Sequence, residues 1–154
     1  MKKEAILVLI GCFSIHLFNG CFFLWGNIAP YVLSYFYYFG NDPLIKQSDA
    51  AIITPILCIG LMVMNPTVAS WKVNPKIPIA LGSSIAIVGL LISSQVHSFT
   101  IFLFTYATVI GMGIGFCYFP PLQCGWEWVE EKGLVTGIIL GAFGFGSFVF
   151  SFFA

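Results

Sequence analysis

Formal charges are confined to four short stretches of this 154-residue sequence, and long apolar segments separate them. No Asp, Glu, Lys or Arg occurs in the segments that follow Glu4, Asp49, Lys76 and Lys132. A membrane-spanning helix needs about 20 apolar residues, and each segment is at least that long. The segment after Lys76 is roughly twice that length, and the polar residues around His97 divide it. These segments predict an all-α fold, a polytopic transmembrane helix bundle.

The predicted bundle is one membrane domain over residues 1–154 with about five spans. The predicted spans are 5–33, 50–70, 77–96, 99–120 and 134–154. We expect span four to end at Pro120 and Pro121, since proline cannot continue the helical hydrogen-bond ladder. An inner loop over 123–132 would then carry two tryptophans and three glutamates that face water.

The composition agrees with a membrane domain. The chain is 59% hydrophobic and 8% charged, whereas soluble domains carry about 25% charged residues. The formal net charge is zero, so nothing indicates a nucleic-acid surface. The expected partner is the lipid bilayer, and the protein is expected to be integral to it.

Lysine placement predicts the orientation of the chain. Every basic residue is a lysine, and Lys46 alone falls on the side opposite the others if the spans alternate. Positive charges accumulate in the inner loops of membrane proteins. We therefore expect the N-terminus on the inner side, which is the cytoplasmic or matrix side, without identifying the membrane.

One face of span one is predicted to be polar. At about 100° per residue, six residues share this face: Cys12, His16, Asn19, Gly20, Asn27 and Tyr31. Polar groups in hydrocarbon are costly unless they face protein or a water-filled cavity. The face therefore either lines a solute path or hydrogen-bonds to neighbouring helices.

Spans four and five carry stripes of small residues. Gly111 and Gly115 share one face of span four, and Gly137, Gly141 and Gly144 share one arc of span five. Such stripes let helix backbones approach closely in a bilayer. Helix packing is the expected role, and the glycine arc of span five is expected to meet a partner.

No enzyme chemistry, metal site or cofactor is expected. His16 lies at mid-membrane depth and His97 at the outer edge, so the two cannot ligate one haem. The five cysteines form no C-x-x-C pair, and neither a nucleophile elbow nor a P-loop is present.

Three segments carry a family resemblance. They are 19–31 in span one, the Gly-Met-Gly-Ile-Gly-Phe-Cys-Tyr-Phe-Pro-Pro run of 111–121, and the 132–137 segment that opens span five. In order and position they resemble the major facilitator superfamily, in the branch of oxalate/formate antiporters and monocarboxylate carriers. The resemblance implies the N-terminal part of a twelve-span carrier that binds solute between two halves. It implies a solute path, which we assign to these residues: His16, Asn19, Asn27, Tyr31, Tyr106 and Tyr118.

The loop after span two departs from the family pattern. The 65–74 segment has neither the aspartate nor the arginines of the family's loop motif, and no acidic residue lies within a span. Two functions stay open. The chain is part of a carrier for a small solute, such as a monocarboxylate or another organic anion, or it is a truncated, transport-inactive relative that serves as an accessory subunit. A homo-oligomeric channel is a weaker third reading. In the first two cases the missing half, or other membrane subunits, would lie against span five.

Overall fold

The computed structural model describes residues 3–40, 42 and 44–153, and within them the chain is helical with no β-strand. Five helices are long and apolar enough to cross a membrane, which confirms the predicted class of fold. They are span one, Lys3–Tyr38; span two, Gln47–Ala69; span three, Lys76–Ser93; span four, Phe99–Trp128; and span five, Lys132–Ser151.

Span one consists of two α-helices joined by a tighter turn. An α-helix over Lys3–Asn19 passes into a 3-10 helix over Gly20–Leu24, and a second α-helix covers Trp25–Tyr38. Span one therefore runs five residues beyond its predicted end. Pro30 lies inside the second helix without ending it, because neighbouring helices and local adjustments offset a missing hydrogen bond in a membrane bundle.

Span four passes through the proline pair that was expected to end it. Pro120 and Pro121 lie buried inside the α-helix Ile110–Trp128. Each proline removes one donor to the carbonyl four residues earlier, but packing on neighbouring spans holds the helix together. The helix ends at Trp128, because Val129 adopts an extended conformation. The predicted inner loop over 123–132 is therefore wrong in its length, since only 129–131 lie between the two spans.

Span four is the central helix of the bundle and contacts each of the other four spans. Glycines permit this position. A Cβ atom at Gly111 would lie 2.6 Å from the Leu57 carbonyl oxygen on span two, and one at Gly113 would lie 2.8 Å from the Gly82 carbonyl oxygen on span three. Larger side chains would push both neighbours away. Span five packs mainly on span one.

Large apolar side chains cover the outside of the bundle. Met62, Leu91 and Phe104 are each more than 60% exposed although they lie within spans two, three and four. An apolar surface of this extent is unfavourable in water and suits contact with lipid tails.

The crossing of spans one and five gives a test of the packing. A methyl group at Gly146 would meet the Leu17 carbonyl oxygen and the Gly20 Cα, which are both backbone atoms. We expect Gly146→Ala to lower the free energy of unfolding by about 1–3 kcal/mol. Gly141→Ala, on the same helix, adds its methyl group to open space and should gain up to about 1 kcal/mol of helix propensity. Thermal unfolding in detergent measures both, and equal stabilities would contradict the crossing.

Candidate functional site

His16 is enclosed where spans one, four and five meet. Its side chain, on span one, is 0% exposed. The Tyr118 ring of span four lies 5.3 Å from the imidazole between centroids, and the Phe143 ring of span five lies 6.1 Å away. Those two rings meet edge to face at 5.4 Å. The imidazole and these two rings therefore form one closed aromatic cluster.

Two glycines explain why the cluster is closed. Gly20, four residues after His16, lies so close to span five that an added Cβ would be 2.8 Å from the Gly146 Cα. A Cβ at Gly146 would in turn lie 3.0 Å from the Gly20 Cα. Contact of this kind between backbones is possible only where both residues lack a side chain. It brings Phe143, one turn before Gly146, onto His16.

The enclosed polar atoms lack hydrogen-bond partners. Both ring nitrogens of His16 and the amide nitrogen of Asn19 are buried and unpartnered among the described residues. His16 and Asn19 lie one helical turn apart on the same face; we call them the His16–Asn19 pair. A buried unsatisfied polar group costs about 1–3 kcal/mol. The pair therefore holds unused hydrogen-bonding capacity inside the bundle.

Asn27 and Tyr31 do not join this pair. Asn27 is exposed and donates a hydrogen bond of 2.8 Å from Nδ2 to the Ser151 hydroxyl of span five. Tyr31 is 71% exposed. The structure therefore divides the residues of the expected polar face between an enclosed part and an exposed part. The 3-10 helix of Gly20–Leu24 advances about 120° per residue instead of 100°, which rotates the second half of the span by about 100°.

Tyr106 lies in a separate aromatic cluster. It stacks on Phe102 at 4.9 Å and lies 5.3 Å from the Trp25 ring. Trp25 is itself fixed by a hydrogen bond of 2.9 Å from its indole nitrogen to the Ala50 carbonyl of span two. Tyr106 sits in a π-helical turn, Leu103–Val109. Of the predicted solute path, only His16, Asn19 and Tyr118 therefore belong to the enclosed region.

The two glycine stripes have different surroundings. Gly111 and Gly115 lie against span two, where an added Cβ would come within 3 Å of Leu57 and Met64 atoms. Gly137, Gly141 and Gly144 have no described atom within 4 Å of an added Cβ. The second stripe is open in the chain by itself; we call it the glycine face of span five.

Phe143 and Gly146 were missed in the sequence reasoning. Gly20 was assigned to the polar face of span one and was not paired with Gly146, although two small residues on neighbouring spans can mark a crossing. Pairing them would have placed Phe143 beside His16. Among the described residues no group of three or more His, Cys, Asp or Glu side chains could hold a metal ion.

The chain is similar in sequence to named carriers. It is 25% identical over 97% of its length to Apicoplast pyruvate carrier 1 of Toxoplasma gondii. It is 26% identical over 93% of its length to Monocarboxylate transporter 12 of Xenopus laevis. Monocarboxylate transporter 12-B of Danio rerio is 30% identical over 62% of the chain. No family profile matches the chain, and no solved structure matches it.

These matches show a relationship to carriers. The chain spans about a third or less of the length of the curated relatives it matches, since it covers 34%, 30% and 20% of them. All three relatives are carriers or transporters by name. With its five spans, the chain is an integral membrane protein related to transporters.

Cysteine labelling separates a wet surface from a lipid surface on span one. Tyr31 is 71% exposed and Phe18 is 65% exposed, so the two positions are matched in exposure within the chain. After the native cysteines are replaced, we expect Tyr31→Cys and Asn27→Cys to react with a water-soluble maleimide in membranes. Phe18→Cys should react at least about tenfold more slowly, because thiols react as thiolates, which need water. Equal rates would contradict a wet path along Asn27 and Tyr31.

Proposed function

We propose that the chain forms part of a carrier that moves a small organic acid, of the monocarboxylate kind, across a membrane. The observation that carries the proposal is similarity over 97% of the chain to a protein named as a pyruvate carrier. The Xenopus and Danio relatives, named as monocarboxylate transporters, agree in the class of solute. Five apolar spans with buried polar atoms between them suit a protein that handles a polar solute in lipid.

We also propose that the bundle is the first part of a major facilitator-type carrier. Support comes from the three segments that resemble that family and from the central position of span four. In such a carrier the solute binds between two bundles. The exposed residues Asn27 and Tyr31 would then face the second bundle, and the His16–Asn19 pair would lie deeper within the first.

The glycine face of span five is the proposed contact surface for the remaining part. Gly137, Gly141 and Gly144 have no neighbour within the described chain, and close backbone packing is the usual role of such residues in membranes. The chain covers about a third of its relatives' length, so the second bundle or another membrane subunit would supply the partner helix.

An accessory subunit is the second candidate function. The inner loop after span two lacks the charges of the facilitator motif, and among the described residues no acidic side chain lies inside the apolar part of a span. A chain without these groups could stabilise a larger membrane complex through the glycine face without moving solute itself.

Uptake into vesicles tests the carrier. We expect vesicles that contain the chain with its native partners to accumulate radiolabelled pyruvate or L-lactate, and excess unlabelled acid to compete. Vesicles without the chain serve as the background. If the partner proteins transport equally well without the chain, the carrier proposal is wrong and the accessory function is favoured.

A single glycine substitution tests the partner surface within the same assay. Gly141→Leu adds a side chain where the chain itself has no contact, so the fold of the bundle should persist. Partner association and uptake should both fall at least about tenfold, because leucine prevents close approach of backbones. If Gly141→Leu keeps its partner proteins and its uptake activity, the glycine face of span five is not the contact surface.

We infer that the N-terminus lies on the inner side of the membrane. Alternating spans place Lys3, Lys72, Lys76 and Lys132 at one end of the bundle and Lys46 at the other. Inner loops carry the excess of lysine. A protease-cleavable tag at the N-terminus should therefore resist protease added outside sealed cells, whereas a tag after Ala154 should be cleaved. If only the N-terminal tag is cleaved, the chain has the opposite orientation.

A further inference from the structure

The His16–Asn19 pair leaves three hydrogen-bonding atoms enclosed and unused. They are the two imidazole nitrogens and the Asn19 amide nitrogen, all buried without a partner. Within the described residues the one other buried side-chain atom of this kind is the amide oxygen of Asn65, on span two. Buried polar groups in native proteins are nearly always paired, with protein, water or a ligand. Three adjacent exceptions indicate that the pair binds a group from outside the chain.

We propose that the His16–Asn19 pair binds the carboxyl group of the transported acid, an inference that rests on the proposed function. A neutral imidazole offers one N–H donor and one acceptor nitrogen, and the Asn19 amide nitrogen offers two more donors. The pair therefore presents mainly donors. A carboxylate accepts at both oxygens, and the α-hydroxyl of an acid such as lactate supplies the one donor that the imidazole accepts. An amine, which mainly donates, does not match.

The surroundings of the pair suit a short acid. The Tyr118 and Phe143 rings lie 5.3 Å and 6.1 Å from the imidazole and provide apolar walls for a short carbon chain. Cys12, one turn before His16, is also buried. No formal charge lies on span one between Glu4 and Asp42, so nothing fixed within that span repels a carboxylate.

Asn19 marks the side from which the acid would reach the pair. His16 is completely enclosed, whereas the Asn19 side chain is only partly buried although its amide nitrogen is covered. The acid would therefore contact Asn19 first, and the Tyr118 and Phe143 rings would separate to admit it to the imidazole. In the present conformation those rings close the site.

Equilibrium binding to the full chain in lipid nanodiscs tests the site, with radiolabelled L-lactate and pyruvate as the probes. His16→Phe keeps an aromatic ring for Tyr118 and Phe143 but removes both nitrogens. We expect it to bind at least about tenfold more weakly, as the loss of one or two hydrogen bonds to a charged group requires. Asn19→Leu should weaken binding to a similar extent, and it is less enclosed, so it carries the test if His16→Phe does not fold.

Asn65→Leu is the matched control, because it also removes an amide with a buried, unpartnered atom, its oxygen, from a span. Its affinity for both acids should stay within about twofold of that of the original chain. If the original chain binds the acids and both His16→Phe and Asn19→Leu bind them equally well, the pair holds water alone and the inference is wrong. If the original chain binds neither acid, this site is wrong, whereas the proposed function is decided separately by the uptake assay with the native partners.

Discussion

The hydrocarbon layer offers no water to solvate a backbone group, and it gives apolar side chains no reason to leave lipid for protein. Helices satisfy the first condition, but their association must rest on close contact. In this bundle span four provides that contact through Gly111 and Gly113, which admit the backbones of spans two and three. The Gly20–Gly146 crossing does the same for spans one and five. The absence of a side chain at these few glycines therefore determines where each span lies.

The same crossing produces the enclosed polar region around His16. Because Gly20 and Gly146 draw spans one and five together, the His16 imidazole is covered by Phe143 and Tyr118 instead of facing lipid. A histidine one turn from a wider crossing would be free to reach water or a neighbouring carbonyl. The packing that stabilises the bundle thus also encloses the His16 imidazole and the Asn19 amide nitrogen.

The number and approximate position of the spans could be predicted from the sequence. Charged side chains are costly in lipid, so the distances between charged stretches give the lengths of the apolar spans. That span four continues through Pro120 and Pro121 could not be predicted. The low helix propensity of proline describes an isolated helix, whereas neighbouring spans stabilise this one. The polar face of span one was predicted by assuming a uniform α-helix, and the local sequence does not predict the 3-10 helix of Gly20–Leu24. The solute path stays a prediction, and the structure divides its residues among three surroundings.

The length of span one constrains how this helix lies in the membrane. Its 36 residues extend about 54 Å at 1.5 Å per residue, and the 3-10 helix adds slightly to this. A bilayer is about 30 Å thick in its hydrocarbon core and about 40–45 Å with its headgroups. A helix of this length must therefore tilt, kink or extend beyond the headgroups. Span five, which is 20 residues long, packs mainly on span one, so a change in the tilt of span one also affects span five. Bilayer thickness is therefore coupled to the angle of the helix pair that encloses His16.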